Sequence, residues 1–414
     1  MGVLMGSILN MKKRILILGA GREQCIAIEE AKQLGLYVIA CDENQTAPGL
    51  KLADVGVVVD IKDPKKITAL GREHGVSGIF CHAVEIPEVV ADVAEALDLP
   101  GLSPQTARLC KSKHDRIRAL KSAGVKVPDF IIVSHREELE REAAAFGFPF
   151  VIKPLDNAGS RGVQLVADHR GLMGSYNEAM LYTDNPSVIL ERYLQGPQVS
   201  TESVVYQGCI KTFAFADRNY GDVNEYAPHF IEDGINFPSV LAEDIQRRVL
   251  AEVNKAIEVL GIDFGAAKGD VLIHDGVPYI VEMASRTSGG WFGAGSIPIA
   301  TGVNPLKPLI QMSVGEHADM GCLVPTRRLW CAQRYWIPKG SAIFNSVDGI
   351  NLVGSMPGVA MFTDFFPESG VAIDKARNHA QRYAQVICTG STRDEAILRA
   401  EAAIASLRVE LTPL

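Results

Sequence analysis

Two lysines, two carboxylates and one arginine carry the chemistry this sequence could perform. Lys113 opens a helix-like stretch, KHDRIRALKSAG, and Lys153 sits in the strand-like VIKP, ahead of a loop holding Gly159, Ser160 and Gly162. Two ammonium groups can neutralise a polyphosphate as compact point charges. A loop of small residues lets backbone N–H groups close over phosphate oxygens, because no Cβ blocks the approach. Asp270 and Glu282 flank Asp275-Gly276, a dipeptide that favours a two-residue hairpin turn. Across such a hairpin both carboxylates can face one side and share Mg²⁺, a hard cation that takes carboxylate and phosphate oxygens; Mn²⁺ is possible in its place. Arg286 follows Glu282 by four residues. It could bind a carboxylate substrate or stabilise the charge developing on it. The segment Glu191-Arg192-Tyr193-Leu194 ends a further strand, and its backbone could offer a C=O and an N–H to an adenine edge.

Each of these residues has a blander reading when taken alone. A strand lysine such as Lys153 is usually a solvated side chain, Asp270 could be a turn residue, and Glu282 a surface one. Glu282 resists that reading because its strand, VPYIVEM, is largely apolar. A carboxylate in such a strand needs a partner, and a metal is one. The conjunction of features in this order is more specific than any member.

A second motif competes. Gly19-Ala20-Gly21-Arg22-Glu23-Gln24 follows an apolar run and opens a helical stretch, with Asp42 at the end of the next strand. This has the outline of a dinucleotide fingerprint, with helix N–H groups for a phosphate and an acid for a ribose. Gln24 stands where the third small residue belongs, so the expected reading is a tight βα turn. An NAD-dependent oxidoreductase remains the alternative from another class.

The elements that must position these residues follow from the pattern. Strands RILIL, YVIACD, VGVVVD and GIFCH alternate with helical segments through residue 110, which implies a parallel, doubly wound sheet. From 130 the order changes to antiparallel α+β: FIIV, FPFVIKP, VQLV and VILERYL, then strand pairs around Gln207-Gly208 and Asp275-Gly276, with a helix over 243–260. A last block, 325–414, ends in a helix that Ser391 or Thr392 could cap and Glu395 could complete. The expected division is therefore 1–110 (with 1–10 an extension), 111–324 and 325–414.

Composition narrows the class. The 414 residues are 47% hydrophobic and 22% charged, with a net charge of −8, so an ordinary soluble globular protein is expected rather than a nucleic-acid binder. The eight cysteines show no C-x-x-C pairing, which points to reduced thiols in a cytoplasmic protein. No run is long enough to span a membrane, and the first ten residues lack the features of a signal peptide.

Together, Lys113, VIKP with its loop, ERYLQGPQ, Asp270 and VEMASR resemble the ATP-grasp superfamily, over essentially the whole chain. The resemblance implies a Rossmann-like first domain, a nucleotide-binding ATP-grasp fold and a small C-terminal α+β domain in the biotin carboxylase order, an α/β and α+β chain. It implies that Lys113, Lys153, Ser160 and Gly162 meet ATP phosphates, that Glu191, Arg192 and Leu194 hold adenine, that Asp270 and Glu282 bind Mg²⁺, and that Arg286 with Lys153 assists catalysis. Two departures stand out. Gln198 replaces a ribose-binding glutamate, and an amide holds hydroxyls more weakly than a carboxylate. Ala284 replaces an asparagine in E-x-N-x-R, which removes a ligand for a second metal. The subgroup resembled is the amino-acid or dipeptide ligases, acting as homodimers on a small carboxylate and a small amine through an acyl phosphate. A purine-biosynthesis or carbamoyl-phosphate-like enzyme is the alternative within the superfamily. Arg218, Tyr226, His229 and Glu232 in the polar segment 216–239, and Ser288 and Gly289 with free backbone N–H groups after Arg286, are the substrate-binding candidates.

Overall fold

The computed structural model describes residues 12–157, 159–183 and 185–414; the expected extension at 1–10 lies outside them. Strands Arg14–Leu18, Tyr37–Asp42, Val55–Val58 and Gly78–Cys81 form a parallel sheet in the spatial order third, second, first, fourth. The run RILIL does not alternate in polarity because both of its faces are covered. Ile15 and Ile17 enter one apolar cluster and Leu16 and Leu18 another, as in sheets sandwiched by helices.

Beyond residue 130 the sheets are antiparallel. Strands Phe130–Val133, Val188–Arg192, Phe150–Pro154 and Gln164–Val166 lie side by side in that order. A larger sheet starts at Val277–Ala284 and passes through Phe264–His274, Gln198–Tyr206, Cys209–Asn219 and Gly234–Phe237. It continues into Trp330–Trp336, Ala384–Gly390 and Val359–Asp364. Eight strands thus run across position 324/325 without a break in hydrogen bonding. Local chemistry sets the hairpins. Gln207-Gly208 and Asp275-Gly276 both take positive φ, 50° and 77° for the first pair, 49° and 73° for the second, the geometry whose twist matches that of the flanking strands.

Helix Glu243–Leu260 buries Val249, Val253, Ala256, Ile257 and Leu260, one face at helical spacing. It closes the back of the larger sheet, sharing a core with Ile117, Leu120, Val271 and Met283. Thr392 caps helix Arg393–Ala405 by accepting from Glu395 N, while the Glu395 carboxylate accepts from Ser391 N. Among the described residues no helix is long and apolar enough to cross a membrane.

Candidate functional site

A cleft of about 450 Å³ lies between the two antiparallel sheets and is roofed in part by residues from both ends of the chain. On one side, the Phe150–Pro154 strand carries Lys153 and its neighbour Val188–Arg192 carries Glu191. Their side chains form an ion pair that is almost wholly buried. Lys113 is the first residue of helix Lys113–Ser122, which Ser112 caps. Its ammonium donates to the Asn157 carbonyl, and among the described residues it forms no ion pair. Burial pushes its pKa down to about 8, with Glu282 opposing the shift.

Ser160 lines this end and its hydroxyl lies 3.4 Å from His379 Nε2, while His379 N donates to Gly159 O. Gly162 does not face the cleft. It turns with φ 71° against Pro154 and Ala179, where a Cβ would come within 3.0 Å of the Ala179 Cα. Its requirement for glycine is therefore a packing one, which corrects the expected phosphate contact. The Arg192 guanidinium points away as well, donating to the carbonyls of Phe146 and Gly147 and lying over the Phe146 ring. The Arg192 N–H is taken by Asp129 O, so its C=O is what it can still offer. Leu194 and Gln198 line the same wall.

The paired carboxylates lie at the floor. Asp270 and Glu282 are direct cross-strand partners, with a bulge immediately after Asp270. Asp270 accepts from Ser200 Oγ at 2.6 Å and Arg218 Nη1 at 2.7 Å, and from the Lys268 ammonium. Glu282 lies 3.8 Å from Lys268 Nζ and 3.8 Å from Arg116 Nη2. Burial pushes both carboxyls up, but the cations outweigh it: Arg218 and Lys268 at Asp270, Lys268 and Arg116 at Glu282. Both stay below the ordinary carboxylate range and are ionised. These two are the cleft residues that could hold a metal, and the donor set suits one hard cation completed by phosphate oxygens. Ala284, opposite Lys268 in the register, offers no ligand.

The other side of the cleft is built from distant segments. Arg286 pairs with Glu85, which follows strand Gly78–Cys81 of the parallel sheet. Arg218 pairs with Glu232 at 2.5 Å, and Glu232 also faces Arg382 at 3.6 Å. Arg382 lies 4.0 Å above the Tyr335 ring. The loop after Arg286 does not leave its N–H groups free, as the sequence suggested. Ser288 N and Oγ donate to Glu202, and Gly290 N and Trp291 N donate to Glu23 at 3.2 and 2.8 Å. Ser288 and Gly289 do line the cleft.

Two substrate candidates are structural instead. Tyr226 is 1% exposed, packs with Ile231 and Ala376, and reaches Ile337 O. His229 Nε2 meets Glu178 Oε1 at 2.7 Å, and its backbone bridges Gln164. Both fix the polar segment in place. The glycine-rich turn that resembled a dinucleotide fingerprint is likewise committed. Asp42 accepts from Ala20 N and Asn44 N, Gln24 donates to His82 O, and Glu23 holds the 290–291 backbone. The turn ties the parallel sheet to the cleft.

Arg116, Lys268, Glu85, Glu202, Glu23, His379 and Arg382 were missed in the sequence. Lys268 alone had a local signal, since it precedes Asp270 by two residues in a strand and so shares its face.

Comparison with known proteins assigns two stretches of the chain. Residues 110–290 match the ATP-grasp domain, and residues 334–412 match the L-amino acid ligase C-terminal domain 2. The chain carries an ATP-grasp domain. Its fold is similar to that of the L-amino acid ligase from Bacillus licheniformis, with TM-score 0.80, 21% identity, and 96% of this chain and 98% of that one covered. It is also similar to phosphoribosylglycinamide synthetase from Anaerococcus prevotii, with TM-score 0.74, 22% identity, and 97% and 100% covered. In sequence, the formate-dependent phosphoribosylglycinamide formyltransferase of Prochlorococcus marinus is 32% identical over 197 residues, 44% of this chain and 48% of its own length. The chain thus spans about half the length of that relative. An uncharacterised protein of Sinorhizobium fredii is 24% identical over 361 residues, 83% of this chain and 70% of its own.

Proposed function

We propose that this ATP-grasp enzyme is a carboxylate–amine ligase that forms an amide through an acyl phosphate and gives ADP and inorganic phosphate. The observation that carries this reading is the meeting, in one cleft, of Lys113 and Lys153, the ionised Asp270–Glu282 pair and Arg286. The match to an L-amino acid ligase C-terminal domain supports an amino acid as carboxylate or amine donor.

In this reading Lys113, Lys153 and Ser160 receive the phosphates, and Arg192 C=O with Leu194 N–H receives the adenine beside Glu191. Gln198 faces the ribose. Asp270 and Glu282 hold Mg²⁺, or Mn²⁺ in its place. A bound divalent cation supplies charge neutralisation at the β- and γ-phosphates as the leaving ADP develops charge. Arg286, steadied by Glu85, orients the carboxylate oxygen and offsets the charge that forms on it. Arg218, Glu232, Arg382 and the 288–290 loop surround the acceptor. The three-part division at 110 and 324, a cytoplasmic location and a homodimer belong to the same proposal.

Incubating the enzyme with Mg-ATP and pairs of amino acids, then resolving the nucleotides by chromatography, tests it. ADP and phosphate released only in the presence of a productive pair is the expected result. AMP and pyrophosphate as primary products would sink it. A second reading, a purine-biosynthesis ligase, is favoured by the likeness over 197 residues to phosphoribosylglycinamide formyltransferase; ADP formation from formate and phosphoribosylglycinamide, with no response to amino acids, would select it.

A further inference from the structure

An amine acceptor reaches a ligase largely as its ammonium, since amino groups titrate at about 8 or above. An ammonium has no lone pair, so a proton must leave before nitrogen can attack. The carboxylates that face the cleft are poorly suited to take it. Glu191 is paired with Lys153, Glu85 with Arg286, and Glu232 with Arg218 and Arg382. Asp270 and Glu282 are held in their ionised form by the cations around them.

Glu202 is different. It lies in the central strand Gln198–Tyr206, is 1% exposed, and among the described residues forms no ion pair. Both of its oxygens are bonded to one residue: Oε1 accepts from Ser288 N at 2.9 Å and Oε2 accepts from Ser288 Oγ. Glu202 itself does not line the cleft, whereas Ser288 does, together with Arg286, Gly289 and Lys268. Because the Ser288 hydroxyl proton is directed at Glu202, the lone pairs on Oγ remain for another donor. Gly293 packs beside this pair. A Cβ there would lie 3.5 Å from Glu202 Oε1 and 3.3 Å from Ser288 O.

We propose that Ser288 and Glu202 form a proton relay in which Ser288 touches the acceptor ammonium and Glu202, acting through it, takes up the proton. The inference rests on the ligase reading above. One N–H bond of the ammonium breaks and its proton passes to Ser288 Oγ, while the Oγ proton passes to Glu202. The freed nitrogen lone pair attacks the acyl carbon, the carbon–oxygen bond to phosphate breaks, and its electron pair leaves with phosphate. The second N–H proton lost in forming the amide departs on that phosphate. Glu202 then returns its proton through Ser288 to solvent. Burial pushes the Glu202 carboxyl up to about 7, against the pull of the Ser288 hydrogen bonds and of the nearby Lys268 and Arg286 cations, which places the acceptor of the proton near the operating pH.

The experiment compares two nucleophiles. An amino acid is an ammonium at neutral pH and needs the relay, whereas hydroxylamine is already neutral there and does not. Wild type, Ser288→Ala and Glu202→Gln are assayed for hydroxamate formation and for amide formation with a productive pair. The expected result in each variant is an amide rate that falls on the order of 10²-fold relative to its own hydroxamate rate, the usual contribution of a positioned base. The rise of the wild-type amide rate through pH of about 7 should be lost in Glu202→Gln. Equal losses with both nucleophiles, or no loss with either, would overturn the relay. Ser288→Ala separates the two nucleophiles in the same way if Glu202→Gln does not fold. A wild-type enzyme that forms no hydroxamate from any carboxylate with ATP overturns the ligase reading itself, and the relay with it.

Discussion

The proposed nucleotide side and the proposed acceptor side of the cleft arrange their charges differently. On the nucleotide side, Lys113 is a largely buried ammonium that, among the described residues, donates to a carbonyl and forms no ion pair. On the acceptor side, Arg286, Arg218 and Arg382 each face a carboxylate carried by a different segment: Glu85 for the first, Glu232 for the other two. A cation stored without a counter-ion gains most when a polyanion arrives, so it serves affinity. An arginine already paired has its fork held in one plane by its partner. It serves orientation, and a substrate must fit around it. In the proposed function the two sides thus divide the work of binding the common nucleotide and of choosing the particular substrate.

The largest effect that tests this division is expected at Lys153, the one nucleotide-side lysine that is paired. Lys153→Ala should end turnover, and it should also destabilise the protein by about 3–5 kcal/mol, because Glu191 is left buried and unpaired. Lys113→Ala should end productive ATP binding while costing far less stability, since no carboxylate is orphaned. Thermal unfolding of the two variants side by side reads the contrast; equal losses in Tm would remove it.

On the acceptor side, Arg286→Ala should lower kcat by roughly 10²–10³, the scale of losing one preorganised group at a developing charge. ATP affinity, measured by titration without the acceptor, should stay close to wild type. A large loss of ATP affinity would place Arg286 on the nucleotide side instead.

A smaller, graded effect is expected from pH. Lys113 has its pKa lowered to about 8. It must be charged to meet a phosphate, so kcat/KM for ATP should fall as pH rises through about 8. Lys113→Arg, which stays charged throughout, should flatten that limb. A limb that survives the substitution would assign it to another group.

How much of this was legible depended on range. The helix over 243–260, the Asp275-Gly276 turn and the Thr392 cap are governed by neighbours within four residues, and the sequence shows them. The hairpin in turn brings Asp270 opposite Glu282. Tyr226 and His229 were misassigned because a polar, aromatic segment reads alike whether it faces core or cleft. What settles their place are Ile337 and Glu178, 111 and 51 residues away. The glycine-rich turn misled for the same reason. Glu23 finds its partners at Gly290 and Trp291, more than 260 residues on, and no local pattern carries that information.

The smallest effect is expected at Gln198. It starts the strand Gln198–Tyr206, pairs with Leu272 in the register, and lines the nucleotide wall next to Leu194. If its amide faces the ribose, it accepts hydroxyl protons less strongly than a carboxylate would, since hydrogen bonds to ionised groups are roughly twice as strong as neutral ones. Gln198→Glu preserves length and shape and adds one charge. Against this, the triphosphate is itself anionic. In the proposed function the ribose, however, would stand between the two, with the lysines proposed to neutralise the phosphates at the far end of the nucleotide. The expected outcome is an ATP KM equal to that of wild type or a few-fold lower, on the scale of about 1 kcal/mol for one improved hydrogen bond. Steady-state kinetics at saturating acceptor measures it. A KM about tenfold higher, equivalent to about 1.4 kcal/mol, would mean that position 198 meets the nucleotide through its negative groups rather than its hydroxyls.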